Sequence, residues 1–155
     1  MKKNTCCFIG HRAIYENKQM RSKLNRIIED LIVKEKIDTF LFGSKSRFNS
    51  LSYELVSEIK KKYPYIKRIY VRAEFSDISN DYKNYLLKSY EDTYYPENLR
   101  NSGKASYIKR NYEMIDQSRI CIFYYNENVA PTLRKSGTKI ALDYAIKQCK
   151  RIIRI

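Results

Sequence analysis

The sequence predicts a three-layer α/β domain built on a mostly parallel five-stranded sheet, and three observations predict it. Short apolar runs alternate with longer amphipathic ones, which is the pattern of successive βαβ units. The chain has 155 residues, 43% hydrophobic and 31% charged, enough for one domain (1–155) with a buried core. Only four glycines occur, and Gly10, Gly43 and Gly137 fall where strand gives way to helix.

The elements follow in order. Residues 5–9 form an apolar first strand that stops at Gly10. Residues 18–35 carry Leu24, Ile27, Ile28, Leu31 and Ile32 at three- and four-residue spacing, one apolar face of a helix. Residues 38–42 are a second strand, ended by Gly43. Residues 50–62 are a second helix with Leu51, Leu55, Val56 and Ile59 on one side, stopped by Pro64. Residues 66–72 form a third strand whose mixed alternation places it near an edge. A short helix over 80–89 and then a long, tyrosine-rich loop are expected. Residues 105–117 form a helix with Ile108, Met114 and Ile115 inward. Residues 119–125 are the most apolar strand and belong in the sheet interior. A polar loop over 126–135, broken by Pro131, leads to a helix over 138–148 and a last strand over 151–155.

Composition excludes several classes. No run of 18 apolar residues exists, so no membrane span is expected. The first residues are too short for a secretory leader, so a cytoplasmic location is expected. Cys6, Cys7, Cys121 and Cys149 form no C-x-x-C pair and read as reduced structural residues. His11 is the only histidine, so no metal site and no cofactor are expected. The net charge of +14 points to an anionic partner, or simply reflects a lysine-rich composition. A basic nucleic-acid binder using Lys60-Lys61-Lys62 and Lys67-Arg68 is a further alternative, but the basic residues are dispersed and match no nucleic-acid module, which argues against it.

The glycines concentrate the functional signal. Ligands of open α/β sheets bind outside the carboxyl ends of the strands, and Gly10, Gly43 and Gly137 should face that edge. Lys135-Ser136-Gly137-Thr138-Lys139 precedes a helix whose first N–H groups attract phosphate; alternatively Ser136 or Thr138 only caps it. The turn Gly43-Ser44-Lys45-Ser46-Arg47 resembles a phosphate loop in composition but lacks the Gly-Lys-Ser/Thr ending; a solvated turn is the alternative. In Gly10-His11-Arg12 the arginine can clamp phosphate, while His11 either contacts ligand or holds one fixed structural partner.

Phe8-Ile9-Gly10-His11-Arg12 resembles the F-x-G-H-R opening of a group within the SLOG superfamily of Rossmann-like domains. Phe42-Gly43-Ser44 with Phe48-Asn49, Arg110-Asn111 with Met114-Ile115, and Ser136-Gly137-Thr138 with Asp143-Tyr144-Ala145 resemble later motifs of that group. The resemblance implies a pocket for an ADP-ribose-like or nucleoside-phosphate ligand, in a bacterial stress, defence or mobile-element setting. It also implies a homodimer or higher homo-oligomer. The ligand residues it implies are Gly10, His11, Arg12, Gly43, Ser44, Arg110, Asn111, Ser136, Gly137 and Thr138. The related LOG phosphoribohydrolases carry P-G-G-x-G-T-x-x-E, whereas this chain reads Arg-Lys-Ser-Gly-Thr-Lys-Ile-Ala. The proline, one glycine and the glutamate are missing. That favours binding over turnover. For the alternative, an N-glycosidic hydrolase, Glu54, Glu113 and Asp143 are the carboxylate candidates. Tyr82, Tyr85, Tyr90, Tyr94 and Tyr95 either stack on a base or serve core and oligomer packing.

Overall fold

In the computed structural model, residues 1–129 and 136–155 are described; Pro131 and Lys135 of the expected loop and motif lie outside them. One sheet of six strands runs in the order β4-β3-β2-β1-β5-β6, every neighbouring pair parallel. The strands are β1 (Thr5–Gly10), β2 (Thr39–Phe42), β3 (Lys67–Val71), β4 (Asp92–Tyr94), β5 (Ile120–Tyr124) and β6 (Arg151–Arg154). The helices are α1 (Lys18–Glu35), α2 (Arg47–Lys62), α3 (Asn80–Leu86), α4 (Ser106–Asp116) and α5 (Gly137–Lys147). The architecture is Rossmann-like.

The sixth strand corrects the expected five. β4 occupies three residues of the stretch read as a long loop, too few to show a period of two. Two 3₁₀ turns, Glu97–Leu99 and Gly103–Ala105, take up much of the rest. Because β4 pairs with it, β3 is second from the edge.

α2 begins three residues before the expected residue 50. Ser46 is its N-cap, and the Ser46 side chain accepts the Asn49 N–H at 3.1 Å. The polar turn therefore ends sooner than its composition suggests, and Phe48 is driven fully into the core. α1 starts the same way, the Asn17 side chain accepting the Met20 N–H at 2.8 Å. It stops where Lys36 turns left-handed at φ 61° and its N–H reaches the Leu31 carbonyl.

Two apolar layers sandwich the sheet. On one face α1 and α2 pack over Phe8, Phe40 and Phe42. Phe8 stacks on both sheet neighbours, with centroids at 5.8 and 5.3 Å, and Phe48 meets it edge-on. On the other face α4 and α5 cover Cys7, Leu41, Val71, Cys121 and Phe123. β1, β2 and β5 are buried on both faces, as interior parallel strands require; only Gly10, where β1 ends, is partly open. Cys6, Cys7 and Cys121 are free and buried, and burial pushes the Cys6 thiol well above its usual range. Cys149 is free and exposed. Among the described residues no helix is long and apolar enough to cross a membrane.

Candidate functional site

All the parallel strands deliver their carboxyl ends to one edge, and strand order reverses between β1 and β5. α1 leaves that point toward one face of the sheet and α5 toward the other. The crevice between the two departures is the standard ligand position of such sheets.

His11 laces this crevice. Its Nε2 accepts the Asn126 N–H at 3.0 Å, and its ring packs against Tyr124 and Tyr125. A second tie runs beside it, the Tyr15 N–H donating to the Tyr124 hydroxyl at 3.1 Å. Burial lowers the His11 pKa, and accepting an N–H at Nε2 requires that nitrogen to be unprotonated. His11 thus has a fixed structural partner in the Asn126 backbone. Arg12 is exposed, and its guanidinium makes no hydrogen bond or ion pair among the described residues.

Two glycines make room for the protein's own side chains. A Cβ on Gly10 would stand 2.5–2.7 Å from Cδ2, Cγ and Cβ of Phe48. A Cβ on Gly43 would stand 2.6 Å from Arg110 Cδ and 2.7 Å from Met114 Sδ. Neither glycine has a positive φ. The space each leaves is filled by the protein's own side chains. Gly137 differs, since a Cβ there meets nothing within 4 Å.

The turn after β2 is not an open phosphate nest. The Gly43 N–H donates to Asn49 Oδ1 at 3.1 Å, and the Ser46 N–H to Ser44 Oγ at 3.3 Å. The Arg47 N–H donates to the Arg12 carbonyl. The Arg47 guanidinium is held by Glu16 at 2.8 Å and Glu54 at 3.1 Å. Asn49, which sequence reading did not select as a site residue, is buried and also donates to the Phe8 carbonyl at 3.0 Å. It clamps the ends of β1 and β2 together, and the Phe-Asn spacing after the glycine is its only sequence trace. Ser44 lines a cleft of about 170 Å³ with Phe42, Asn49, Tyr53, Glu54 and Tyr90.

The start of α5 is less committed. Ser136 caps it, accepting the Lys139 N–H at 3.1 Å. The N–H groups of Gly137 and Thr138 have no partner among the described residues, nor does the Thr138 hydroxyl, which is not sealed off. The cap thus uses only one of the terminal donors.

Arg110 is the most unusual side chain at this edge. It is 5% exposed and has no carboxylate partner. Nη1 donates to the Gly43 carbonyl, and Nε to Asn111 Oδ1 at 3.2 Å. Nη2 is unpaired but not sealed off. The Tyr107 ring covers the guanidinium at 5.8 Å, and the Tyr107 hydroxyl donates to Glu74. Burial lowers the Arg110 pKa, and the nearby Tyr70, Tyr107 and Glu74 offset that desolvation only in part.

The three candidate carboxylates are not brought together. Glu54 lies on α2 and is tied to Arg47 and, at 3.5 Å, to Arg21. Glu113 and Asp143 lie on the opposite face, where Glu113 accepts the Tyr94 hydroxyl at 3.2 Å and Asp143 pairs with Lys139 at 3.0 Å. The tyrosines divide similarly. Tyr90 packs on Phe42, Tyr53 and Tyr70, Tyr94 belongs to the opposite layer, and Tyr82 and Tyr85 stack on each other in solvent. Among the described residues no three His, Cys, Asp or Glu side chains cluster in a way that could hold a metal ion.

No protein-family model matches this chain, and no curated protein matches it.

Proposed function

We propose that this chain is a SLOG-like domain that binds a nucleotide-derived anion at the carboxyl edge of its sheet and does not hydrolyse it. The observation that carries this reading is Arg110, a buried guanidinium with no carboxylate and one N–H pair left over at the edge. A desolvated cation is costly to the fold unless an anion meets it. Arg12 and the free first-turn donors of α5 add positive potential at the crevice between β1 and β5. Aromatic side chains along the 170 Å³ cleft suit a base or sugar. Separate partners for Glu54, Glu113 and Asp143 favour binding over turnover, since acid–base work needs convergent groups.

The test is calorimetry of the full chain with AMP, ADP-ribose and NAD, followed by chromatography of each mixture. The expected result is binding to at least one probe, recovery of the ligand intact, and at least a tenfold weaker affinity in Arg110→Gln, in line with the loss of a charge-assisted hydrogen bond of about 1.5–3 kcal/mol. Release of a free base would replace this reading with the N-glycosidic hydrolase. Absence of binding to all three would remove it.

A further inference from the structure

A second buried arginine stands at the same edge. Arg72 directly follows β3, is 9% exposed, and forms no ion pair among the described residues. Its backbone N–H is fixed to the Tyr94 carbonyl at 2.8 Å. Its Nη1 donates to Thr93 Oγ1 at 3.2 Å, and Thr93 in turn donates to the Tyr70 carbonyl at 2.8 Å. β4 therefore orients the guanidinium through one nitrogen only. Nε is the one buried side-chain nitrogen or oxygen among the described residues with no hydrogen-bond partner, and Nη2 is unpaired but accessible.

Nε and Nη2 form the edge of a guanidinium that takes an oxyanion side-on through two parallel N–H bonds. That edge is vacant on Arg72, whereas Arg110 spends its Nε on Asn111. An unsatisfied buried N–H is rare in native proteins and calls for a partner. The Tyr70 hydroxyl, also without a hydrogen bond, lies within electrostatic range of both Arg72 and Arg110. Glu74 is the acidic group near Tyr70, and it is held by the Tyr107 hydroxyl rather than by either arginine.

We infer that Arg72, oriented by Thr93, is a bidentate site for a second phosphoryl group, so that the ligand is of the dinucleotide class, with two phosphoryl groups carried at separated points. This rests on the binding reading above. β3 lies two strands from β1, so Arg72 stands about 12 Å along the edge from the β1–β5 crevice at ordinary strand spacing. Arg110, over the turn after β2, lies between them. Arg110 and Arg72 therefore stand about one strand apart, roughly the spacing a nucleoside sets between its two flanking phosphoryl groups, whereas a mononucleotide carries only one.

The test is titration of the full chain with AMP and with 5′-phosphorylated diadenylate. The wild type is expected to bind the diadenylate at least tenfold more tightly than AMP. Arg72→Gln should abolish that preference while leaving AMP affinity within twofold, and Thr93→Val should reduce it. If Arg72→Gln fails to fold, Thr93→Val carries the comparison, because it removes only the hydroxyl that orients Arg72. Equal wild-type affinities for the two probes overturn the second site and leave the binding reading standing. Parallel loss of both affinities in the folded variant also overturns it. Binding of neither probe to the wild type removes the binding reading itself.

Discussion

At the scale of single residues, sterics and protonation separate roles that composition merges. Gly10 and Gly43 look alike in sequence, but their vacant Cβ positions face different neighbours. Gly10→Ala drives a methyl into the body of Phe48, which is fully buried and has nowhere to move. It should destabilise by about 1–3 kcal/mol or more, read from denaturant midpoints. Gly43→Ala pushes instead on the Arg110 stem, a flexible chain. It should cost less stability than Gly10→Ala and more ligand affinity, read by comparing unfolding with calorimetry. His11 makes a pH prediction. Its folded pKa is lowered, so the unfolded chain takes up the proton first as pH falls. The stabilisation is complete above the ordinary histidine value of about 6.5. It is lost as pH drops from there through the lowered folded value. Melting temperature across pH 8 to 5 should fall more steeply in the wild type than in His11→Gln. Equal slopes would place the acid sensitivity elsewhere.

At the scale of elements, local hydrogen bonds set where helices begin and how loops are held. Asn49 sits in the first turn of α2 yet ties the ends of β1 and β2. Asn49→Ala leaves the buried Gly43 N–H and the Phe8 carbonyl unpaired, and should cost about 3 kcal/mol. Ser136→Ala removes only a cap and should cost about 1 kcal/mol, with the last helix losing hydrogen-exchange protection first. These elements also show how far the sequence was legible. Four of the five helices and five of the strands follow from apolar patterning, because an amphipathic face repeats often enough to be seen; α3, which buries only Leu86, lies in a stretch without such a repeat. β4 is three residues long and includes the polar Asp92 and Thr93, so its place comes from pairing with β3, a contact between distant segments. The start of α2 was hidden because a capping serine and a loop serine are the same letter.

At the scale of the whole molecule, charge and topology act together. The chain carries a net charge of +14, and its two buried arginines without acid partners both open on one sheet edge. A basic chain attracts anions broadly, and this edge offers unpaired guanidinium donors fixed by the framework. The association rate of an anionic ligand should fall as ionic strength rises, while the dissociation rate changes little. Stopped-flow binding at 50 and 300 mM salt reads both. A salt effect confined to dissociation would place the dominant charges in the contact itself rather than in long-range steering.

The sequence by itself determined the α/β class, the βαβ succession and the edge on which a ligand is sought, because these depend on local periodicity and on where chain direction must change. It also singled out Arg110 through its motif. Only the tertiary structure decided that Gly10 and Gly43 make room for Phe48 and Arg110, that His11 is a tie across the crevice, and that Arg72 is buried with an empty bidentate edge. Each of these is a relation between residues far apart in the chain. Whether a guanidinium has a carboxylate beside it is settled by packing, and no pattern of neighbouring letters records it.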